Sequence, residues 1–462
     1  MKALLSNIGF VMQAAGLLIF LPIIISFIYK EPAATIALFL VSTLFLGLGF
    51  MLNALCERKK LNYKQSCSLI VLAFVMLSVV GAVPYWYVLD EPLLQRLTDG
   101  VFESASGFTT TGFSVLENLQ SVPKSILFYR AITQFIGGIG IVLLLLAFFY
   151  PEQDLRHLSK SLGFGKNKKI KKTFYLILAV YLSFSVALII SSVFFGFYDI
   201  VTLSSLVLSA ISTGGFTPVA DIGPIAHDIP MNAVLIFAML VGASNFLVLA
   251  GLFMFKWKEF LKSEITFFVM MASVAVAFAV AFFDMGFFDS VFHVVSAMST
   301  TGFSYLDIAI LSTNIKLFFV ALMFVGGASL STAGGIKIYR FVLFFKLIQK
   351  TVHDSITAEP TRLRVFGREC SNQDIMHATV IVVSVILAVF FSAILLSGAG
   401  YSLVDSIFDA TSAISTVGLG AGVVSHALAV KFKWLFIGLM LLGRVEIFSF
   451  FVMFSRAKEP KQ

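Results

Sequence analysis

Ser106-Gly-Phe-Thr-Thr-Thr-Gly-Phe113 closes a short apolar stretch, and the chain then writes nearly the same words three more times. Ser209-Ala-Ile-Ser-Thr-Gly-Gly-Phe216, Ser296-Ala-Met-Ser-Thr-Thr-Gly-Phe303 and Ser412-Ala-Ile-Ser-Thr-Val-Gly-Leu419 are the other copies. Their spacing of about a hundred residues is too long for a solenoid repeat. Each copy lies between two long apolar runs and follows a stretch too short to cross a bilayer. Those short stretches are 97–109, 199–211, 287–299 and 403–414.

A membrane span needs about 20 apolar residues. The paired runs meet that length at 67–89 and 124–150, 174–197 and 230–255, 264–283 and 314–346, and 375–397 and 431–454. Two further spans, near 5–28 and 35–55, precede them and are joined by a turn holding Pro32. The expected fold is therefore all-α and integral to the membrane. Four pseudo-symmetric membrane–pore-loop–membrane repeats surround one pore, and two N-terminal transmembrane helices are added. The units run over 1–56 for the N-terminal pair, then 64–151, 173–256, 263–347 and 372–456.

Composition agrees. Of 462 residues 59% are hydrophobic and 13% charged, half the charged share of about 25% in a soluble domain. The mean hydropathy is +0.97. A net charge of +8 suggests nucleic acid only until its location is read. The basic residues fall in short clusters between spans: Arg58, Lys59, Lys60 and Lys64; Arg156 to Lys172; Lys256, Lys258 and Lys262; Lys337 to Arg368; and Arg456 to Lys461. The intervening connections hold Asp90, Glu91, Asp99, Asp284 and Asp289 and few basic residues. This alternation follows the positive-inside rule, places both termini in the cytoplasm and leaves no nucleic-acid surface. The stretch 159–172 reads first as a topology signal and second as a docking surface. Cys56, Cys67 and Cys370 are too scattered for a disulfide framework or a metal site. The first apolar run has no small-residue cleavage site and is read as a retained span.

Irregular backbone at membrane depth survives only where protein buries it or water lines it. Gly112, Gly215, Gly302 and Gly418 permit backbone angles that other residues resist. Four such loops can turn successive carbonyls toward one axis and replace the hydration shell of a cation. The short helices point their negative C-terminal ends at the same place. The candidate ion ligands are Thr110, Thr111, Gly112, Thr213, Gly214, Gly215, Thr300, Thr301, Gly302, Thr416, Val417 and Gly418. Small-residue clusters also serve close helix packing, but four copies in the same place favour the pore. Glu103, His293 and Asp409 on the short helices are candidates to brace the loops, with packing as the equal alternative.

Two further motifs stand out. Gly326-Gly-Ala-Ser-Leu-Ser-Thr-Ala-Gly-Gly-Ile-Lys337 interrupts the second span of the third unit. Glycine at this density breaks a helix, so Gly326, Gly327, Gly334, Gly335 and Lys337 read as a flexible flap beneath the loops, or as a tightly packed kink. The phosphate-binding spacing Gly-x-x-x-x-Gly-Lys-Ser/Thr is absent. Arg444, in Leu442-Gly-Arg-Val-Glu-Ile-Phe448, lies twelve residues before Arg456, about 18 Å of helix. That depth implies a functional or paired role, and a pore-facing barrier is the expected one. Glu446, two residues on, does not share its helix face.

These stretches, with Leu127-Phe-Tyr-Arg-Ala-Ile-Thr-Gln-Phe-Ile-Gly-Gly-Ile-Gly-Ile141, resemble the Trk/Ktr/HKT superfamily of K⁺ transporters, and within it the Trk-type transmembrane subunit of prokaryotes. The resemblance spans essentially the whole chain. It implies K⁺ uptake across an inner membrane through a four-loop selectivity filter, with 325–336 as an intramembrane gating loop and Arg444 projecting into the pore. It implies a homodimer, with one pore per subunit, in membrane lipid, and a cytoplasmic nucleotide-binding regulatory subunit. Relatives with Ser at the first filter glycine tend to carry Na⁺, so Gly112 points to K⁺. The fourth loop departs mildly, at Val417 and Leu419. No cofactor other than the transported ion is expected. The competing readings are a Na⁺ or mixed-cation transporter, K⁺ symport coupled to H⁺ or Na⁺, and a membrane enzyme or sensor. The last finds no catalytic constellation in the sequence.

Overall fold

A computed structural model describes residues 2–55, 61–148, 170–197, 199–252, 257–357, 363–366 and 368–455. Cys56, Arg58 to Lys60, Lys256, the basic stretch 156–169 and the tail from Arg456 lie outside those residues. So do the outer ends of the expected repeats at 151 and 456.

The N-terminal pair is Lys2–Leu18 with Phe20–Ile28, and Pro32–Leu55. These helices pack along each other through Gly9, Gly16 and Gly49, where a side chain would meet the facing helix. Ser42 Oγ donates to the Gly16 carbonyl at 2.9 Å. Glu31 in their connection then reaches across to the first repeat. Its carboxylate accepts the Lys124 N–H at 2.7 Å and the Ser125 N–H at 3.1 Å, satisfying the orphan donors that open the next span.

The four repeats follow the expected order. Their first spans are Tyr63–Val80 continued by Val83–Val88, Ile170–Phe194, Glu264–Phe283 and Asn372–Ser397. Two of the starts carry a full capping box, Asn62 with Gln65 and Ser371 with Asp374. The re-entrant helices are Leu93–Phe108, Ile200–Ile211, Phe287–Met298 and Leu403–Ile414. At 12 to 16 residues they are too short to span, and their C-terminal halves are wholly buried.

The second spans differ from expectation. Lys124–Phe148 is continuous in the first repeat. In the third the chain breaks as expected, between Thr313–Phe324 and Ile338–Thr357. The second and fourth repeats also break. Ile229–Ala243 and Phe246–Leu252 meet at 116°, and Val430–Arg444 and Ile447–Phe454 meet at 96°. The expected continuous helices at 230–255 and 431–454 are corrected accordingly. Ser244 and Asn245 make the first of these breaks, where the Asn245 side chain accepts the Leu247 N–H at 2.9 Å and starts the new helix. A short hairpin, Arg364–Val365 with Arg368–Glu369, was not anticipated from the sequence.

Basic residues near the start of the second spans of the first, third and fourth repeats tie three of the four junctions between repeats. Lys124 reaches Asp199 of the second re-entrant helix at 3.5 Å. Lys316 reaches Asp405 of the fourth at 2.7 Å. Lys433 reaches Asp99 of the first with both carboxylate oxygens, at 2.7 and 2.9 Å, and this pair is fully buried. Removing one member of a buried pair strands the other charge. Lys433→Met is therefore expected to destabilise the protein by about 3–5 kcal/mol, read as a lowered thermal midpoint in detergent. The double change Lys433→Met with Asp99→Leu should recover most of the loss.

Candidate functional site: a closed ring of re-entrant loops

Each re-entrant helix ends in the same turn. The residue after the helix cap is a threonine in the left-handed region, with φ of 54° at Thr110, 52° at Thr213, 58° at Thr300 and 51° at Thr416. Its N–H donates to the carbonyl three residues back. The next N–H donates five back, to Ser106, Ser209, Ser296 and Ser412, and all eight bonds measure 2.8–3.2 Å. This is a Schellman termination, which glycine or asparagine usually supplies. A β-branched residue there is strained, and the strain recurs in all four repeats. Two residues further on, Gly112, Gly215, Gly302 and Gly418 have φ of 89°, 81°, 81° and 88°. The chain thus reverses its handedness twice within three residues.

The four loops close on one another. A Cβ on Gly112 would collide with the carbonyl oxygen of Gly214 in the second loop. One on Gly215 would strike the carbonyl of Thr301, one on Gly302 that of Val417, and one on Gly418 that of Thr111. The contacts run 1 to 2, 2 to 3, 3 to 4 and back to 1, which defines a ring of four backbone segments. The threonines and Val417 are buried, while each of the four glycines is partly accessible. All twelve candidate ligand residues named from the sequence therefore converge here. The hydroxyls of Ser106, Thr110, Ser412, Ser415 and Thr416 are buried beside the ring without a hydrogen-bond partner among the described residues, an unusual density of open hydroxyls.

Behind the ring, each loop is braced on its outgoing side. Glu103, His293 and Asp409 accept from the N–H twelve residues ahead: Val115 at 2.6 Å, Tyr305 at 3.4 Å and Ala421 at 2.5 Å. Asp409 also takes the Val423 and Val424 N–H groups at 3.0 and 2.8 Å. The second re-entrant helix has Leu206 at the matching position, so its brace comes from a neighbour. Gln134 of the first repeat donates to the Gly214 carbonyl at 2.6 Å and accepts from Ser209 Oγ at 2.8 Å and Phe216 N–H at 3.2 Å. Gln134 was not singled out from sequence. Its signal was a lone amide inside an apolar span. Arg130 is a second such residue, 3.3 Å from Glu103 and stacked over the Phe216 ring.

The Gly-rich segment 325–337 sits against the helix ends that carry these loops. Gly326 N–H donates to Ile336 at 2.9 Å and Ile336 N–H to Phe324 at 3.2 Å, so the loop leaves and re-enters through one narrow neck. Gly326 and Gly327 face backbone where no side chain fits, Gly334 packs on the Thr416 hydroxyl, and Gly335 has φ of 62°. Gly334 N–H donates to Thr300 Oγ1 at 2.8 Å. Thr332 Oγ1 donates to the Ile211 and Gly242 carbonyls at 3.1 and 2.9 Å, and Ala328 N–H to Ala243 at 2.8 Å. The carbonyls freed by the break in the second repeat are thus taken up by the loop of the third. From below, Glu264 accepts the Ser329 N–H at 2.5 Å, and Lys337 donates to the Ala333 carbonyl.

Arg444 joins this loop to the first repeat. It donates to the Thr332 carbonyl at 2.6 Å and to the Gly137 and Gly138 carbonyls at 2.8 and 3.3 Å. Glu446 does not pair with it. Glu446 holds φ of 59° at the break and grips Arg340 with two bonds, at 3.0 and 2.7 Å.

Four re-entrant loops in a ring, carried by paired spans, define a membrane protein of the cation-transporting four-repeat type. The sequence profile of the TrkH family, described as cation transport proteins, matches residues 34–267 and 263–461. The chain belongs to that family. It is 28% identical to an uncharacterized cation transporter of Methanocaldococcus jannaschii over 470 residues, covering 98% of this chain and 95% of the relative. It is 28% identical to the Trk system potassium uptake protein TrkH of Salmonella typhimurium over 427 residues, with 86% of each covered. The crystal structure of the potassium transporter TrkH from Vibrio parahaemolyticus superposes with a TM-score of 0.84 over 98% of both chains, at 22% identity. That likeness shows the fold.

Proposed function

We propose that this protein takes up K⁺ through the ring of loops, with the Gly-rich segment as its gate. The carrying observation is the cyclic contact of each ring glycine with the preceding carbonyl of the next loop. Stacked carbonyls of this kind substitute for the hydration shell of a monovalent cation. The four converging helix C-termini favour positive charge at the same point. Relatives named as potassium uptake proteins over most of the chain support K⁺ as the ion. In this reading the basic loops face the cytoplasm of a prokaryotic inner membrane. The protein works as a homodimer with a cytoplasmic nucleotide-binding subunit, and the Thr and Gly residues of the ring hold the ion through oxygens.

The test is Rb⁺ uptake with Na⁺ competition in cells lacking their own K⁺ uptake systems. The native chain is expected to restore growth at low K⁺. Gly112→Ser, whose Cβ would overlap the Gly214 carbonyl oxygen less deeply than one on Gly302 would overlap that of Val417, forces the smaller shift of the two. It is expected to leave uptake measurable while lowering the K⁺/Na⁺ preference by about tenfold, equivalent to about 1.4 kcal/mol of differential binding. A native chain that reaches the membrane yet carries Na⁺ and no Rb⁺ would replace K⁺ by Na⁺ in this reading.

A further inference from the structure

We propose that Glu91, Asp99 and His426 form a site for a borderline divalent metal ion, Zn²⁺ in kind, at the seam between the fourth and first repeats. One imidazole nitrogen and one oxygen from each carboxylate lie within 4.8 Å of one another. His426 Nε2 stands 3.1 Å from Glu91 Oε1, already close to the edge of a tetrahedral metal polyhedron. The Asp99 oxygen nearest the ring faces its other nitrogen, Nδ1, at 4.0 Å, so Asp99 becomes the third ligand only when the imidazole or this carboxylate turns. The second Glu91 oxygen is buried with no hydrogen-bond partner among the described residues. A mixed nitrogen and carboxylate donor set suits Zn²⁺ and disfavours Mg²⁺ and Ca²⁺, which take oxygen ligands.

The surrounding groups set the site's charge. Lys433 bonds both Asp99 oxygens and cancels that carboxylate, leaving one net negative charge on Glu91. Gln95 Nε2 lies 3.4 Å from His426 Nε2 and supplies an amide beside the metal position. Each carboxylate oxygen has two lone pairs, so Asp99 can bridge Lys433 and a metal.

The location gives the site a consequence. His426 lies in the segment leaving the fourth loop, and its Nδ1 is 3.3 Å from the carbonyl of Val115. Val115 is three residues past Gly112, and its N–H is the one Glu103 holds. A metal here would fasten the outgoing segments of two neighbouring loops together. Bound Zn²⁺ therefore slows transport. That effect rests on the transport reading, whereas the binding does not.

Two measurements separate these. Purified full-length protein in nanodiscs is titrated calorimetrically with Zn²⁺, with Mg²⁺ as control. The native chain is expected to bind one Zn²⁺ in the micromolar range and no Mg²⁺. Glu91→Gln and His426→Gln should each bind at least about tenfold more weakly, while His227→Gln, a histidine outside the cluster, binds as the native chain does. Native binding absent below millimolar Zn²⁺, or undiminished in both variants, overturns the site. Rb⁺ uptake should then be inhibited by Zn²⁺ in the native chain and in His227→Gln, and spared in the other two. Binding with no inhibition overturns the stapling effect and keeps the site. Thermal midpoints recorded without metal show that each variant is folded, so a binding loss is assigned to the ligands.

Discussion

Gly302→Ala is expected to abolish cation uptake while leaving the protein inserted in the membrane. At φ of 81° an L-residue costs about 1–2 kcal/mol, which a packed membrane domain can absorb. The second effect is larger. The added Cβ would overlap the carbonyl oxygen of Val417, and backbone cannot rotate away as a flexible side chain can. Either the third loop retreats or the Val417 carbonyl turns out of the ring. Both break the circle of oxygens at its third-to-fourth junction. Rb⁺ uptake per inserted molecule should fall by about a hundredfold or more, corresponding to at least about 2.7 kcal/mol at the barrier. Gly438→Ala is the matched control, because nothing lies within 4 Å of the position its Cβ would take. It should transport at the native rate. If both variants transport normally, the ring is not the ion's path.

The repeats made most of this arrangement legible in advance. Four near-identical phrases between paired apolar runs placed the re-entrant helices to within a few residues, because hydrophobic length and glycine position are local properties. The ring order was not local. That Gly302 abuts Val417 follows from how four repeats close, and no single repeat states it. The strain at Thr110, Thr213, Thr300 and Thr416 was equally hidden, since threonine is an unfavourable choice for a left-handed helix end. The break after Ala243 escaped for another reason. Its freed carbonyls are satisfied by Ala328 and Thr332 of a different repeat, so tertiary bonds replace the helix's own. The inter-repeat lysines Lys124, Lys316 and Lys433 were not singled out, because their acidic partners lie 75, 89 and 334 residues away in sequence. Glu103, His293 and Asp409 were seen as candidates to brace the loops. Their shared reach of twelve residues emerged only once the outgoing segments were traced.

Arg444→Ala is expected to raise uptake several-fold, and Arg444→Lys decides why. The sequence reading made Arg444 an electrostatic barrier below the loops. The hydrogen bonds suggest a different part, as a pin that ties the Gly-rich loop at Thr332 to Gly137 and Gly138 of the first repeat. Hydrogen bonds from a charged donor contribute about 1.5–3 kcal/mol each. Losing the one to Thr332 is therefore enough to shift a closed-to-open equilibrium about tenfold. Alanine removes charge and pin together, so uptake rises under either account. Lysine keeps the charge but is a single point donor, unable to span carbonyls on two elements as the guanidinium fork does. If the pin dominates, Arg444→Lys should transport nearly as fast as Arg444→Ala in the Rb⁺ assay. If the barrier dominates, it should transport at the native rate. Arg340 and Glu446 sharpen the comparison, since their bidentate pair holds the same break from below and is untouched by either variant. A fall in uptake with Arg444→Ala would sink both accounts and make Arg444 a support of the ring itself, through the span that carries Gln134 and its bond to Gly214.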